Sequence, residues 1–187
     1  MITRAFMLAY LFLFLIVFCA CSDGGRGLQF SVSAKHDNDS LALKTKIGAL
    51  LDSCNAAAGR ADYDQYFSYF AEDAVYIGTD ATEVWSKPAF MQWAKPFFDR
   101  KRAWDFHSLE RHIYLSKDAE IAWFDELLDA PFAKICRGSG VLARQEGKWK
   151  MQQYVLSMTV PNQVGSAVTA IKSPMEDSLL HILKSSK

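Results

Sequence analysis

The sequence is short of almost every feature that marks a specialised class of protein. Lysine plus arginine equals aspartate plus glutamate, 21 of each in 187 residues, so no net field draws the chain to nucleic acid or to an anionic membrane surface. Four cysteines and four histidines make neither a disulfide framework nor a metal-ligand spacing. His107 and His112 fall on opposite faces of one strand, and His36 and His181 lie towards the two ends of the chain. With five prolines, ten glycines, no repeat and no low-complexity stretch, disordered, collagenous and multi-domain readings are excluded. No glycine-rich phosphate loop or nucleophile elbow occurs, since Gly138-Ser139-Gly140 sits within a strand pattern rather than at a strand-to-helix turn. Covalent catalysis therefore has no support.

What the chain does have is rings: 13 phenylalanines, 7 tyrosines and 5 tryptophans, suited to a thick core or to a cavity walled by aromatic side chains. It also has one long apolar run, residues 5–18, behind Arg4 and ahead of Cys19-Ala20-Cys21. Such a run spans ~21 Å as a helix, short of the ~30 Å hydrocarbon layer, and its order of charge, apolar run and small residues is that of an export signal. The stretch Phe18-Cys19-Ala20-Cys21 resembles a bacterial lipoprotein box, with Cys21 as the residue to be lipidated; a plain signal peptide cut nearby is the alternative. The expected location is a bacterial periplasm or outer membrane, with the membrane reached through the lipid. Residues 21–40, rich in Gly, Ser, Asp and Asn, read as a flexible tether. Cys54 and Cys136 read as two isolated buried thiols, although an oxidising compartment permits their pairing.

From Ser40, a helix cap, the spacing of Ile47, Leu50, Leu51, Cys54 and Ala58 predicts a first helix ending at Gly59. Asp62 and Gln65 form a capping box for a second, with Tyr63, Tyr66, Phe67 and Phe70 on one face and its end at Glu72 and Asp73. An extended piece over 74–78 and a polar loop lead to a third helix opened by Ser86 and Pro88 and broken or kinked at Pro96. Strands are predicted over 104–115, 119–129, 133–145 and 149–160, an antiparallel meander because the connections are short. The pattern is α+β, three helices against one face of a sheet. Beyond residue 162 a tail carries a short helix opened by Ser173-Pro174-Met175-Glu176.

Within residues 41–162 several stretches together resemble the SnoaL-like domains of the nuclear transport factor 2-like superfamily, relatives of ketosteroid isomerase and polyketide cyclases. They are Tyr69 to Thr79 (YFAEDAVYIGT), Thr82 to Trp85, Trp123 to Glu126, Arg137 to Leu142, and Gly147 to Lys150 with the run to Val160-Pro161-Asn162. The resemblance implies a strongly bent antiparallel sheet with the helices on its concave side and a conical pocket between them. Carrying the isomerase pattern onto this chain puts Gly78 at the position of the base, and Cys54 and Ser139 at the positions of the two hydrogen-bond donors. Glycine cannot abstract a proton and a thiol is a poor donor, so isomerase chemistry is not expected.

Other groups are candidates for the same pocket. Alternation is read as turning Arg137, Ser139, Gln152, Tyr154 and Leu156 inward with Tyr76. Cys54, Trp85, Trp123 and Asp125 complete the candidate lining, the face of Asp125 and Trp123 being open. Arg137 has two readings: a contact for an anionic or carbonyl-bearing ligand, or half of a buried ion pair with Asp125 or Glu83. Trp85, Trp93 and Trp149 are also readable as plain core. The expected function is binding of a small, partly apolar molecule with no cofactor and no metal. The alternatives are a cyclase, isomerase or hydrolase using Asp125, Arg137 or Tyr154, and a dimeric interaction module built on the convex sheet face.

The lipid is directly measurable. Mass spectrometry of the mature protein is expected to show a diacylglyceryl group on Cys21, and Cys21→Ser is expected to release the chain from membranes; a soluble chain beginning beyond Cys21 contradicts both.

Overall fold

The computed structural model describes the backbone of residues 24–186 and the side chains of residues 37–186. The apolar run and Cys21 lie outside the described residues. The chain divides into two units after Ala42. Helix α1 (Gly24–Gly59) crosses that division, and the sheet, the core and the remaining helices belong to the second unit. In order, that unit continues with α2 (Tyr63–Ser68), β1 (Phe70–Ile77), β2 (Val84–Ser86), α3 (Lys87–Asp99), β3 (His107–Leu115), β4 (Ile121–Ala130), β5 (Lys134–Gln145) and β6 (Lys148–Met158). A 3-10 turn (Asn162–Val164) then leads into α4 (Gly165–Ser185).

The α+β expectation holds, and the sheet is larger than the predicted meander. Its six strands run in the order β2-β1-β6-β5-β4-β3, with β1 parallel to β6 and every other pair antiparallel. The sheet is strongly curled and unclosed, with the helices packed against it. Ile47, Leu51, Cys54, Ala57 and Ala58 of α1, Tyr66 and Phe67 of α2, and Phe90, Ala94 and Phe98 of α3 are buried in one core with the sheet.

Four local expectations are corrected. Helix α1 begins at Gly24 rather than at Ser40, so residues 24–40, read as tether, are helical; once the packed turns of residues 43–59 exist, each added residue costs no new nucleus. Helix α2 is capped as expected, Asp62 Oδ1 accepting from the Gln65 N–H at 3.2 Å. It stops at Ser68, because Phe70 already pairs with Met151 in the sheet. Pro96 does not break α3, which runs on to Asp99; so close to the helix end, proline forfeits one hydrogen bond and little else. The tail holds a 21-residue helix with Pro174 inside it, not a short helix opening at Ser173.

Two glycines make the tight inner face of β5. A Cβ on Gly138 would lie 2.5 Å from the Tyr154 hydroxyl, and one on Gly140 would overlap the Gln153 carbonyl oxygen and stand 2.9 Å from the Phe124 ring. The β5-β6 hairpin turns on Glu146 (φ 50°) and Gly147 (φ 77°), the positive pair that lets two antiparallel strands join through two residues.

Gly140→Ala is accordingly expected to destabilise the domain by about 1–3 kcal/mol, measured as the urea midpoint. Gly165→Ala, where a Cβ meets nothing within 4 Å, is expected to cause no loss. Equal midpoints for the two variants would mean that the inner face of β5 is not closely packed.

Candidate functional site

Burial along β4 alternates strictly: Ala122, Phe124, Glu126, Leu128 and Ala130 face the core, while Trp123 and Asp125 face out. Register carries this across the sheet. Phe124 pairs with Gly140 and Gly140 with Tyr154; Glu126 pairs with Gly138 and Gly138 with Leu156. Residues paired across a ladder share a face, so Gly138, Gly140, Tyr154 and Leu156 line the inside, and Arg137 and Ser139 the outside.

This corrects the inward assignment of several candidates. Arg137 is exposed and opposite Ser157. It pairs with neither Asp125, whose Oδ1 is 3.2 Å from His112 Nδ1, nor Glu83, whose Oε2 accepts from the Asp80 N–H. Trp123, 46% exposed, stacks on Tyr114 of the outer face at 5.8 Å. Gln152 sits in a β-bulge opposite the Val141-Leu142 step and bonds Gln145; the extra residue breaks the two-residue count that put it beside Tyr154. Cys54, Tyr76, Trp85, Tyr154 and Leu156 do converge on the inner face, as a wide outer cavity and a small inner chamber.

The outer cavity has a volume of about 350 Å³ and is lined by Tyr76, Gly78, Thr79, Glu83, Trp85, Trp93, Phe97, Arg102, Ala103, Trp104, Phe106, Phe132 and Leu156. Trp93 is thus a wall rather than plain core, Trp85 both lines the cavity and packs against the core, and Trp149 packs against the core as expected. The walls belong to a ladder of near-parallel rings. Tyr154 lies 5.4 Å from Tyr76, Tyr76 3.8 Å from Phe90, Phe90 5.7 Å from Trp85, and Trp85 4.9 Å from Trp93, with interplanar angles of 15°, 16°, 20° and 28°. At the rim the Glu83 carboxylate fills the space a side chain at Gly78 would need. The loop between them is locked by Gly78 N–H to the Glu83 carbonyl (2.9 Å) and Thr82 N–H to Asp80 Oδ1 (2.9 Å). Position 78 holds glycine because Glu83 occupies its place.

The inner chamber, about 10 Å³, shares Trp104 and Phe106 with the outer cavity and is lined by Cys54, Asn55, Glu126 and Tyr154 among others. Glu126 is 1% exposed. Arg111 of β3 holds it: Nε donates to Glu126 Oε2 at 2.8 Å, and Nη2 lies 2.7 Å from the same oxygen and 2.8 Å from Asp52 Oδ1. Arg111 Nη1 also donates to the Gly48 carbonyl at 3.0 Å. Glu126 Oε1 and the Tyr154 hydroxyl have no hydrogen-bond partner among the described residues. Burial, with the Glu126 charge next in size, drives the Tyr154 phenol far above its ordinary range, and burial does the same to the Cys54 thiol. Tyr154 is therefore a donor, and Cys54 is neither an anion nor a nucleophile. Cys54 and Cys136 are both free and buried. Among the described residues no cluster of three metal-ligating side chains forms.

Sequence reading missed Glu126, Arg111 and Trp104. The signal was present in Ala122-Phe124-Glu126-Leu128-Ala130, a carboxylate on the apolar face of an otherwise regular alternation. Arg111→Met is expected to destabilise by about 3–5 kcal/mol by stranding Glu126, and Arg111→Met with Glu126→Met is expected to regain most of the loss. Arg137→Met is expected within about 0.5 kcal/mol of the parent. Chemical denaturation of the three variants checks the assignment, and a large loss for Arg137→Met would contradict it.

A structure from Pseudomonas putida KT2440, an NTF2-like protein of unknown function, superposes with a TM-score of 0.57 at 14% identity, covering 66% of this chain and 92% of that one. A candidate scytalone dehydratase from Novosphingobium aromaticivorans DSM 12444 gives 0.58 at 12% identity, covering 66% and 89%. An NTF2-like protein from Cytophaga hutchinsonii ATCC 33406 gives 0.53 at 13% identity, covering 62% and 98%. At these identities the likeness is one of fold. No curated protein matches the chain in sequence. The SnoaL-like domain model matches residues 47–161, the stretch that builds the sheet, the ring ladder and both cavities, and the chain belongs to the SnoaL-like domain family.

Proposed function

We propose that this chain, exported and held at a membrane by a lipid on Cys21, binds a small, flat, largely apolar molecule in the outer cavity, without ketosteroid isomerase chemistry. One observation carries the reading: a 350 Å³ space in the size range of small-molecule sites, walled by members of a ladder of near-parallel rings. The ring surfaces that Tyr76, Trp85, Trp93 and Trp104 turn to the cavity give a planar molecule aromatic contact in addition to burial of its own surface. Glu83, Arg102 and Thr79 supply a few polar contacts to orient it. The anchor is supported by the apolar run of residues 5–18 followed by Cys19-Ala20-Cys21.

A second reading, an acid-base enzyme acting on the bound molecule, is favoured by the buried Glu126 carboxylate and Tyr154 hydroxyl with their free oxygens. Asp125 and Arg137 leave that role, since both face outward. The dimer alternative draws on the exposed Trp123-Tyr114 stack of the outer face.

Calorimetric titration with 2-methylnaphthalene is expected to show one site per chain. Trp85→Ala is expected to weaken it about tenfold, the worth of a lost ring contact of roughly 1.4 kcal/mol. Absence of binding, or binding indifferent to Trp85→Ala, overturns the cavity as the ligand site.

A further inference from the structure

We infer that the inner chamber is a seat for one hydroxyl group, received between Glu126 Oε1 and the Tyr154 hydroxyl. Each of these two oxygens belongs to a side chain at least nine-tenths buried, and neither has a hydrogen-bond partner among the described residues. Leaving such an atom unpaired in the interior is costly, so its persistence in a packed fold asks for an occupant. Both oxygens converge on the same spot. The point where a Cβ of Gly138 would stand is 2.5 Å from the Tyr154 oxygen and 3.2 Å from Glu126 Oε1, which puts the two within the ~6 Å that one bridging oxygen covers at most with two hydrogen bonds. The chamber volume of about 10 Å³ admits roughly one water-sized group.

The chemistry of the pair selects the occupant. A carboxylate oxygen only accepts, and the buried phenol is available to donate. One atom must therefore donate to Glu126 and accept from Tyr154. A hydroxyl does both. A carbonyl leaves Glu126 Oε1 unpaired, an ammonium leaves the Tyr154 proton unpaired, and an anion is repelled by Glu126. The hydroxyl is that of a water molecule, or of a ligand in the outer cavity whose polar end passes Trp104 and Phe106, the two residues common to both spaces. The second source rests on the cavity reading above and gives its ligand a class: flat, apolar and hydroxylated.

Two measurements separate the sources. The first compares 2-naphthol with 2-methylnaphthalene, equal in shape and differing in one hydroxyl. Naphthol is expected to bind about tenfold tighter or better, and Tyr154→Phe is expected to bring the ratio of the two affinities within about twofold. The second is a high-resolution crystal structure of the ligand-free parent protein, expected to show one ordered water within hydrogen-bond distance of both oxygens. Equal affinities with an ordered water assign the seat to water alone. Equal affinities with a dry chamber overturn the proposal. If neither naphthalene binds, the outer-cavity reading falls, and the crystal structure by itself decides the hydroxyl seat: an ordered water sustains it and a dry chamber ends it.

Discussion

The guanidinium of Arg111 is the point from which the rest of the inner site is built. It joins the Gly48 carbonyl and Asp52 of α1 to Glu126 of β4, tying together three elements that are distant in sequence. Removing a charge from water is expensive unless a partner is close and well oriented, and Glu126, 1% exposed, has that partner only because β3 places Arg111 beside it. Both contacts from Arg111 fall on Oε2. Oε1 is thereby turned away from the ion pair and towards Tyr154, and the same arrangement that makes burial of the carboxylate tolerable leaves one oxygen free in the chamber.

The strands and most of the helices were legible because they obey a single period each. The predicted strand 119–129 against the observed Ile121–Ala130, and 133–145 against Lys134–Gln145, show how well alternating apolar residues and turn segments mark a hairpin. What escaped depends on pairing across distance. β2 is three residues long, too short for a period to appear, and β1 is a strand because it lies parallel to β6 some eighty residues later in the chain. A fold whose sheet is completed by non-local pairs hides those pairs from any local pattern.

The site was less legible than the fold for a related reason. Alternation says which residues share a face; it does not say which face is buried. Arg137 and Tyr154 were expected on one side, but Gly138 and Gly140 are the inward residues of β5, pressed against Tyr154 and Phe124. Glycines at every second position of a strand signal close approach from one side, a cue that would have fixed the face of Arg137. A bulge at Gln152 then shifts the count within β6 itself. Glu126 was visible by the converse cue, a charge where β4 should be apolar.

If the two spaces receive a ligand as proposed, they differ in what they demand of it. The ring-lined cavity rewards surface contact and discriminates weakly, because a methylene more or less in an apolar pocket changes affinity only modestly. The chamber behind Trp104 and Phe106 is small and has two polar atoms, and a group that fails to satisfy both Glu126 and Tyr154 leaves a buried carboxylate oxygen or hydroxyl without a hydrogen bond, which costs more. On the proposed reading, affinity and selectivity are therefore carried by different residues: the ladder from Trp93 to Tyr76 supplies the first, and its last rung, Tyr154, supplies the second. Tyr154 belongs to both, with its ring stacked on Tyr76 and its hydroxyl aimed at Gly138.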